Sequence, residues 1–221
     1  MINTWNESAL HERLKTEWCG PHGSVEVPMH GVICDAVRQD GSIVEIQTTG
    51  FGKIRKKLEL LLCGNQVELV YPIAVNLRIQ TCAADGTPIS CRKSPKHGSV
   101  YQLFGELTGI CDLVGHPNLS ITAVFADVLE RRVNDGTGSW RRKGIRIDSR
   151  ELETIRDTRT FRSLSDYSDL LPENLPRPFT VADLHKAGAG RHAGKMAWVL
   201  RKRGCIVQTG KNKNAFLYMK S

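Results

Sequence analysis

Residues 67–75, VELVYPIAV, form a near-continuous apolar run, the pattern of a strand buried inside a sheet. What precedes them limits the sheet to which that strand can belong. From residue 5 to residue 18, Leu10, Leu14 and Trp18 recur at helical spacing with polar residues between them, and Gly20 with Pro21 ends the segment. Residues 24–27, 32–37 and 43–48 are short runs rich in β-branched side chains. Arg38-Gln39-Asp40-Gly41 separates the last two, and the three read as antiparallel strands. Residues 51–63 then read as a helix. Phe51, Ile54, Leu58, Leu61 and Leu62 would face a core, with Lys53, Arg55, Lys56 and Lys57 outward. Helix, three strands, helix and buried strand in succession predict an α/β body of the α+β kind.

The order beyond residue 75 is a hairpin around Asp85-Gly86, a helix over 100–111, a strand over 119–129 and a hairpin around Asp135-Gly136. Residues 156–178 are polar and then proline-rich, and read as a join with one short helix over 166–171. The expected division is a body over 1–155, this join, and a module over 179–221.

Charge separates the body from the module. The chain has a net charge of +8, yet the stretch from Arg177 onward carries ten Lys and Arg against Asp183 alone, which leaves the remainder near neutral. Such asymmetry predicts a polyanion-binding module on a neutral body. Nothing approaches the roughly 20 apolar residues of a membrane span. The seven cysteines are scattered without a C-x-x-C pair, which predicts reduced thiols and a cytoplasmic protein. Cys19-x2-His22 and His30-x3-Cys34 have zinc-like spacing, but the loop is short and Cys34 lies in a predicted strand, which argues against zinc.

The chemistry is predicted at two acids. In a hairpin centred on Asp40, paired residue numbers sum to eighty, so Asp35 opposes Glu45. Opposed side chains have Cβ atoms about 4.5–5.5 Å apart, and like charges there destabilise a sheet. Protonation of one acid or a divalent cation such as Mg2+, which prefers oxygen ligands, would offset that repulsion. Strand alternation puts Gln47 on the same face as Glu45, and Glu7 in the first helix would reach the locus if that helix packs over the sheet.

Glu7, Asp35 and Glu45-Ile46-Gln47 on this order of elements resemble the PD-(D/E)XK nuclease superfamily in its E-x-Q form, and residues 43–47 followed by a basic helix are similar to competence-associated nucleases of the CoiA type. The resemblance covers about residues 5–75. It implies a restriction-endonuclease-like αβββαβ core that hydrolyses DNA. It further implies Asp35, Glu45 and the Ile46 carbonyl as ligands for Mg2+ or Mn2+, Gln47 orienting the attacking water, and Glu7 assisting. The family's lysine is replaced by Gln47, so either Lys53 or Lys56 of the next helix supplies its charge or catalysis is weak, and the alternatives are a DNA-binding regulator that keeps the nuclease fold without cutting, or a protein-interaction adaptor. Nucleases that cut both strands often pair two active sites, so a homodimer is also compatible with this reading.

In the module, Thr180 with Asp183 reads as a capped helix start, 188–190 as a turn, 191–203 as a second helix, and 205–209 with 215–219 as a hairpin. Over about residues 164–221 this resembles a winged helix-turn-helix. The resemblance implies that Arg191, His192 and Lys195 approach base edges, with Arg201 on the same helix, while Lys211 and Lys213 on the wing touch phosphates. Two further basic stretches, 91–98 and Trp140-Arg141-Arg142-Lys143, are candidate phosphate contacts beside the metal site.

Overall fold

The computed structural model of the protein describes residues 9–221. Helix α1 (Ala9–Cys19) leads into strands β1 (Ser24–Met29), β2 (Val32–Val37) and β3 (Ile43–Ile46). A tight 3-10 turn at Phe51–Ile54 opens α2 (Arg55–Leu61), which is followed by β4 (Val67–Ala83) and β5 (Pro88–Lys93). A helical stretch from Val100 to Leu113 contains α3 (Leu103–Leu107), and two long strands, β6 (Leu119–Asn134) and β7 (Ile145–Phe161), complete the sheet. The fold is mixed α/β with a sheet at its centre.

The main path of the sheet runs β1-β2-β3-β4-β6-β7, with β5 on the far part of β4. β1, β2 and β3 pair antiparallel, β3 and β4 parallel, β4 and β6 parallel, and β6 and β7 antiparallel. The α2 connection lets two parallel strands lie side by side, which a short hairpin cannot do. The order helix, three strands, helix, strand is present as expected. β4 and β6 run well past the residues assigned to them from sequence.

Strand alternation gives the sheet two apolar faces. Leu10 and Leu14 of α1 close one against Ala36, Val44, Ile46, Val70 and Val124. On the other, Leu58 and Leu61 of α2 and Leu103, Phe104 and Leu107 pack with Ile43, Leu69, Tyr71 and Ile121. The sheet is thus covered on both sides around β3 and the first part of β4. Its far part, β5 with the distal residues of β4, β6 and β7, projects as an arm: every residue of β5 is exposed.

β7 is strand through Phe161, so the polar start of the predicted join is sheet. α4 (Leu164–Ser168) follows, then α5 (Val181–Leu184), α6 (Ala193–Lys202), and the hairpin of β8 (Ile206–Asn212) and β9 (Ala215–Lys220). The Thr180 hydroxyl accepts from the Asp183 amide and the Asp183 carboxylate accepts from the Thr180 amide, the expected cap. Met196, Val199 and Leu200 of α6 join the same core as Leu103, Phe104 and Leu107 of α3, so these helices are packed onto the body.

Candidate active site

The pairing of β2 with β3 has the register expected from sequence, Val37 opposite Ile43 and Ala36 opposite Val44, and the ladder stops there. The next pair in that register is Asp35 with Glu45. Here β2 breaks its alternation: Ala36 lies on the α1 face, while Cys34 packs with Ile43 on the other. Side chains replace the missing ladder bonds. The Ile46 amide donates to Asp35 Oδ2 at 2.7 Å, and the Asp35 amide donates to Glu45 Oε1 at 3.4 Å. Both carboxylates therefore sit where the two strands part.

A helix on each face supplies positive or protonatable groups. His11 of α1 donates from Nε2 to the Ile46 carbonyl at 2.9 Å, and the same nitrogen lies 3.3 Å from Asp35 Oδ2. Lys57 of α2 holds Glu45 Oε2 at 2.5 Å, with only 3% of the Glu45 side chain exposed. Lys57 was expected to face outward. The 3-10 turn ahead of α2 winds at about 3.0 residues per turn, which shifts the phase of a helix read as one 3.6-residue run from Phe51.

α2 is held from the other side. Glu106 Oε2 accepts from the Gly50 and Phe51 amides at 2.5 and 3.3 Å, and Phe51 meets Tyr71 edge to face at 5.3 Å. Gly109 lets the two segments touch, since a Cβ there would lie 2.6 Å from the Gly52 nitrogen. These contacts fix the direction from which Lys57 reaches Glu45.

The two acids differ. Burial and then the Asp35 charge push Glu45 up to about 7, against the opposing pull of Lys57. Asp35 also feels burial, but hydrogen bonds from His11 and the Ile46 amide outweigh it and hold the carboxyl below its ordinary value. Of the two, Asp35 is the acid that holds its charge and Glu45 the one that takes up a proton more readily. Burial and then the Glu45 charge also raise the Cys34 thiol, so it stays protonated.

Asp35, Glu45 and the Ile46 carbonyl thus come together, and His11 Nε2 marks the point where two of their oxygens converge. Among the described residues no three His, Cys, Asp or Glu side chains group so as to hold a metal ion. Gln47 lies just past β3, and its amide donates to the Thr49 carbonyl at 2.5 Å. Glu7 lies outside the described residues. Lys53 and Lys56 are exposed on the outer side of the α2 segment. His11 and Lys57 were the residues missed. His11 follows the inward Leu10 directly on α1, and that position was the signal available in the sequence.

The basic residues of the C-terminal unit fall in two groups. Arg191, Lys195, Arg201 and Lys202 are exposed, with Trp198 among them 40% exposed, and helical spacing puts them on one face of α6 and the turn before it. Lys195 Nζ reaches over Gly105 of α3. His192 is half-buried, and burial, then Arg191 and Lys195, push its pKa down. Lys211 and Lys213 stand on the β8–β9 hairpin, where the Lys211 ammonium lies 4.8 Å from the Phe216 ring centre.

A family model described as "Domain of unknown function (DUF8091)" matches residues 8–162. An uncharacterized protein of Treponema pallidum (strain Nichols) is 37% identical over 220 residues, covering 99% of this chain and 87% of the relative. No solved structure matches.

Proposed function

This chain belongs to the DUF8091 family, and from its junction of β2 and β3 we propose that it is a Mg2+- or Mn2+-dependent nuclease that hydrolyses DNA phosphodiester bonds. One observation carries the reading: Asp35 and Glu45 are neighbours where β2 and β3 part, each carboxylate bonded to an amide of the other strand, with the Lys57 ammonium on Glu45. The restriction-endonuclease-like reading of α1 to β4 is supported by their order and strand pairing, and the winged-helix reading by α5, α6 and the β8–β9 hairpin.

The oxygen donors suit a hard divalent cation. Asp35, Glu45 and the Ile46 carbonyl would hold it, and it would supply a water of lowered pKa and neutralise phosphate charge. The rest of the chemistry belongs to the chain. Lys57 brings a fixed positive charge to Glu45, the charge that Gln47 cannot supply, and would stabilise negative charge building on a phosphate oxygen. His11 orients Asp35 and the Ile46 carbonyl. Gln47 is proposed to position the attacking water once its amide turns from Thr49, and Glu7 to assist. The exposed face of α6 and the wing lysines would bind the phosphate backbone.

A second reading rests on the same contacts. Glu45 is ion-paired with Lys57, and Asp35 is satisfied by His11 and the Ile46 amide, as in a DNA-binding regulator that does not cut. Incubation of plasmid and short duplexes with Mg2+ or Mn2+, and with EDTA, separates the two. Metal-dependent cutting is expected, reduced about 100-fold or more in Asp35→Asn and Glu45→Gln. Salt-sensitive binding with no metal-dependent cutting on any substrate establishes the regulator instead.

A further inference from the structure

The basic stretches at 91–98 and 140–143 were expected beside the metal site; the first runs outward along β4 from just beyond β3, and the second lies at the far end of the arm. Glu45 stands opposite Leu69 of β4, and the end of the arm is Ala83 opposite Asn134 of β6, fourteen residues farther on. At about 3.3 Å per residue that is about 45 Å. We propose that this arm is a second nucleic-acid contact: a rail along which a DNA duplex leaving the Asp35–Glu45 junction runs until Trp140 inserts at one of its base steps. The polymer's identity rests on the nuclease reading.

The rail is continuous with the junction. β3 ends at Ile46, and beyond it the same side of β4 is taken by residues 98 back to 88. Gly98 donates to the Ala74 carbonyl, His97 bonds the Val75 carbonyl, and Ser94 donates to the Leu77 carbonyl. Lys93 then stands opposite Arg78 and Arg92 opposite Ile79. Arg92, Lys93 and Lys96 are exposed and, among the described residues, in no ion pair. Most of the arm's acids are occupied by cations; Asp85 in the β4–β5 turn and Asp157 of β7 bind main-chain amides instead. Asp127 binds Arg156, Glu130 binds Arg132 and Arg150, and Glu153 binds Arg78. Glu151 binds Arg131, and Arg146 takes both Asp135 and Asp148. What remains uncompensated along this edge is mainly positive.

At the tip, Trp140 is 83% exposed. A ring that stays in water gains little from folding, so packing does not explain it. The loop that carries it is ordered. Gly138 donates to the Gly144 carbonyl at 2.7 Å, Arg142 to the Ser139 carbonyl at 2.9 Å, and Lys143 to the Trp140 carbonyl at 3.0 Å. Asp135 Oδ1 ties down Thr137 through its amide and hydroxyl, and a Cβ on Gly138 would overlap the Ile145 carbonyl. The Arg141 guanidinium lies 5.5 Å from the Trp140 ring centre, and Arg141 and Lys143 are in no ion pair among the described residues. A held, exposed aromatic ring with a guanidinium beside it is the chemistry that wedges into a base step while neighbouring cations hold the phosphates. Thr137, Gly138 and Ser139 beside it offer none of the apolar area that anchors a protein in a bilayer. The span corresponds to about thirteen base pairs at ~3.4 Å each.

The test uses the full chain in EDTA, so that no cutting is required, with anisotropy of labelled duplexes of 10 and 30 base pairs. Trp140→Ala should weaken binding of the long duplex about tenfold and leave the short one unchanged. Arg92→Gln, Lys93→Gln and Lys96→Gln together should lower the slope of log affinity against log salt by about 2–3 for the long duplex alone. All these side chains are exposed, so circular dichroism and melting should be those of the parent. Equal affinities of parent and both variants for the long duplex overturn the proposal, as does absence of DNA binding by the parent. Trp140-dependent binding to phosphatidylserine vesicles with DNA binding unchanged overturns it in favour of a membrane. Loss of cutting in Asp35→Asn bears only on the nuclease reading, which this binding assay does not touch.

Discussion

Glu45 and Glu130 are each 2% exposed, one where β2 and β3 part and the other in the arm, yet their carboxyls move in opposite directions. Burial pushes both up. At Glu130 the guanidinium groups of Arg132 and Arg150 each bind an oxygen, and together they carry the acid below its ordinary range. At Glu45 the neighbouring Asp35 charge adds to burial, Lys57 opposes them, and the acid stays near 7. Equal surface exposure therefore does not mean equal chemistry. The arm neutralises its buried acid with two cations, whereas the junction sets two acids against one lysine and a histidine that is charged only when protonated. A site left short of positive charge is one that a divalent cation would complete.

The largest effect separating the two regions is expected from Glu130→Gln. It leaves Arg132, only 20% exposed, and Arg150 without their anion, so unfolding in urea at pH 7 should lose about 2–4 kcal/mol. A loss below about 0.5 kcal/mol would mean that the arm's ion pairs do not hold it together, and the contrast with Glu45 would fail.

Glu45→Gln should have the opposite sign. A carboxyl raised from 4.5 to about 7 binds a proton in the folded chain that the unfolded chain has released. Stability from this group therefore falls as pH rises from about 4.5 through 7 and stays lower above. In EDTA at pH 8, Glu45→Gln should be more stable than the parent, by on the order of 1–3 kcal/mol, with the gain vanishing towards pH 4.5. Asp35 works the other way: its lowered carboxyl stabilises the fold above its ordinary value and that stability is lost as pH falls through the folded value. Melting curves from pH 4 to 9 on parent and variant read both slopes. A variant less stable than the parent at pH 8 would show that Lys57 compensates Glu45 in full.

The same contrast explains what was legible in the sequence. Where the sheet is covered, apolar periodicity and the Asp40-Gly41 turn fixed both the order of elements and the pairing of Val37 with Ile43, hence the juxtaposition of Asp35 and Glu45. Contacts made through phase or across the chain left no such trace. Lys57 turned inward because a 3-10 turn precedes α2, and His11 meets Ile46 across 35 residues. The arm was read short because its strands carry charges on both faces. Arg131, Arg132, Arg146 and Arg150 are satisfied by acids from neighbouring positions or strands, a form of stability without apolar periodicity.

The smallest effect tests whether the arm's exposed ion pairs differ in kind from its buried one. Arg131 grips Glu151 with two nitrogens, at 2.5 and 3.2 Å, but the two side chains are 42% and 36% exposed. Water screens such a pair and holding two long side chains costs entropy, so Glu151→Gln should cost under about 1 kcal/mol, less still at 0.5 M salt. Glu130 differs in being buried and in receiving two guanidinium groups where Glu151 receives one. If Glu151→Gln proved as costly as Glu130→Gln, the arm's acids would act as one coupled network. Neutralising any of its ion-paired arginines would then weaken the whole arm, and a bound polyanion could engage cations without unfolding it only at those in no ion pair among the described residues, such as Arg92, Lys93, Lys96, Arg141 and Lys143.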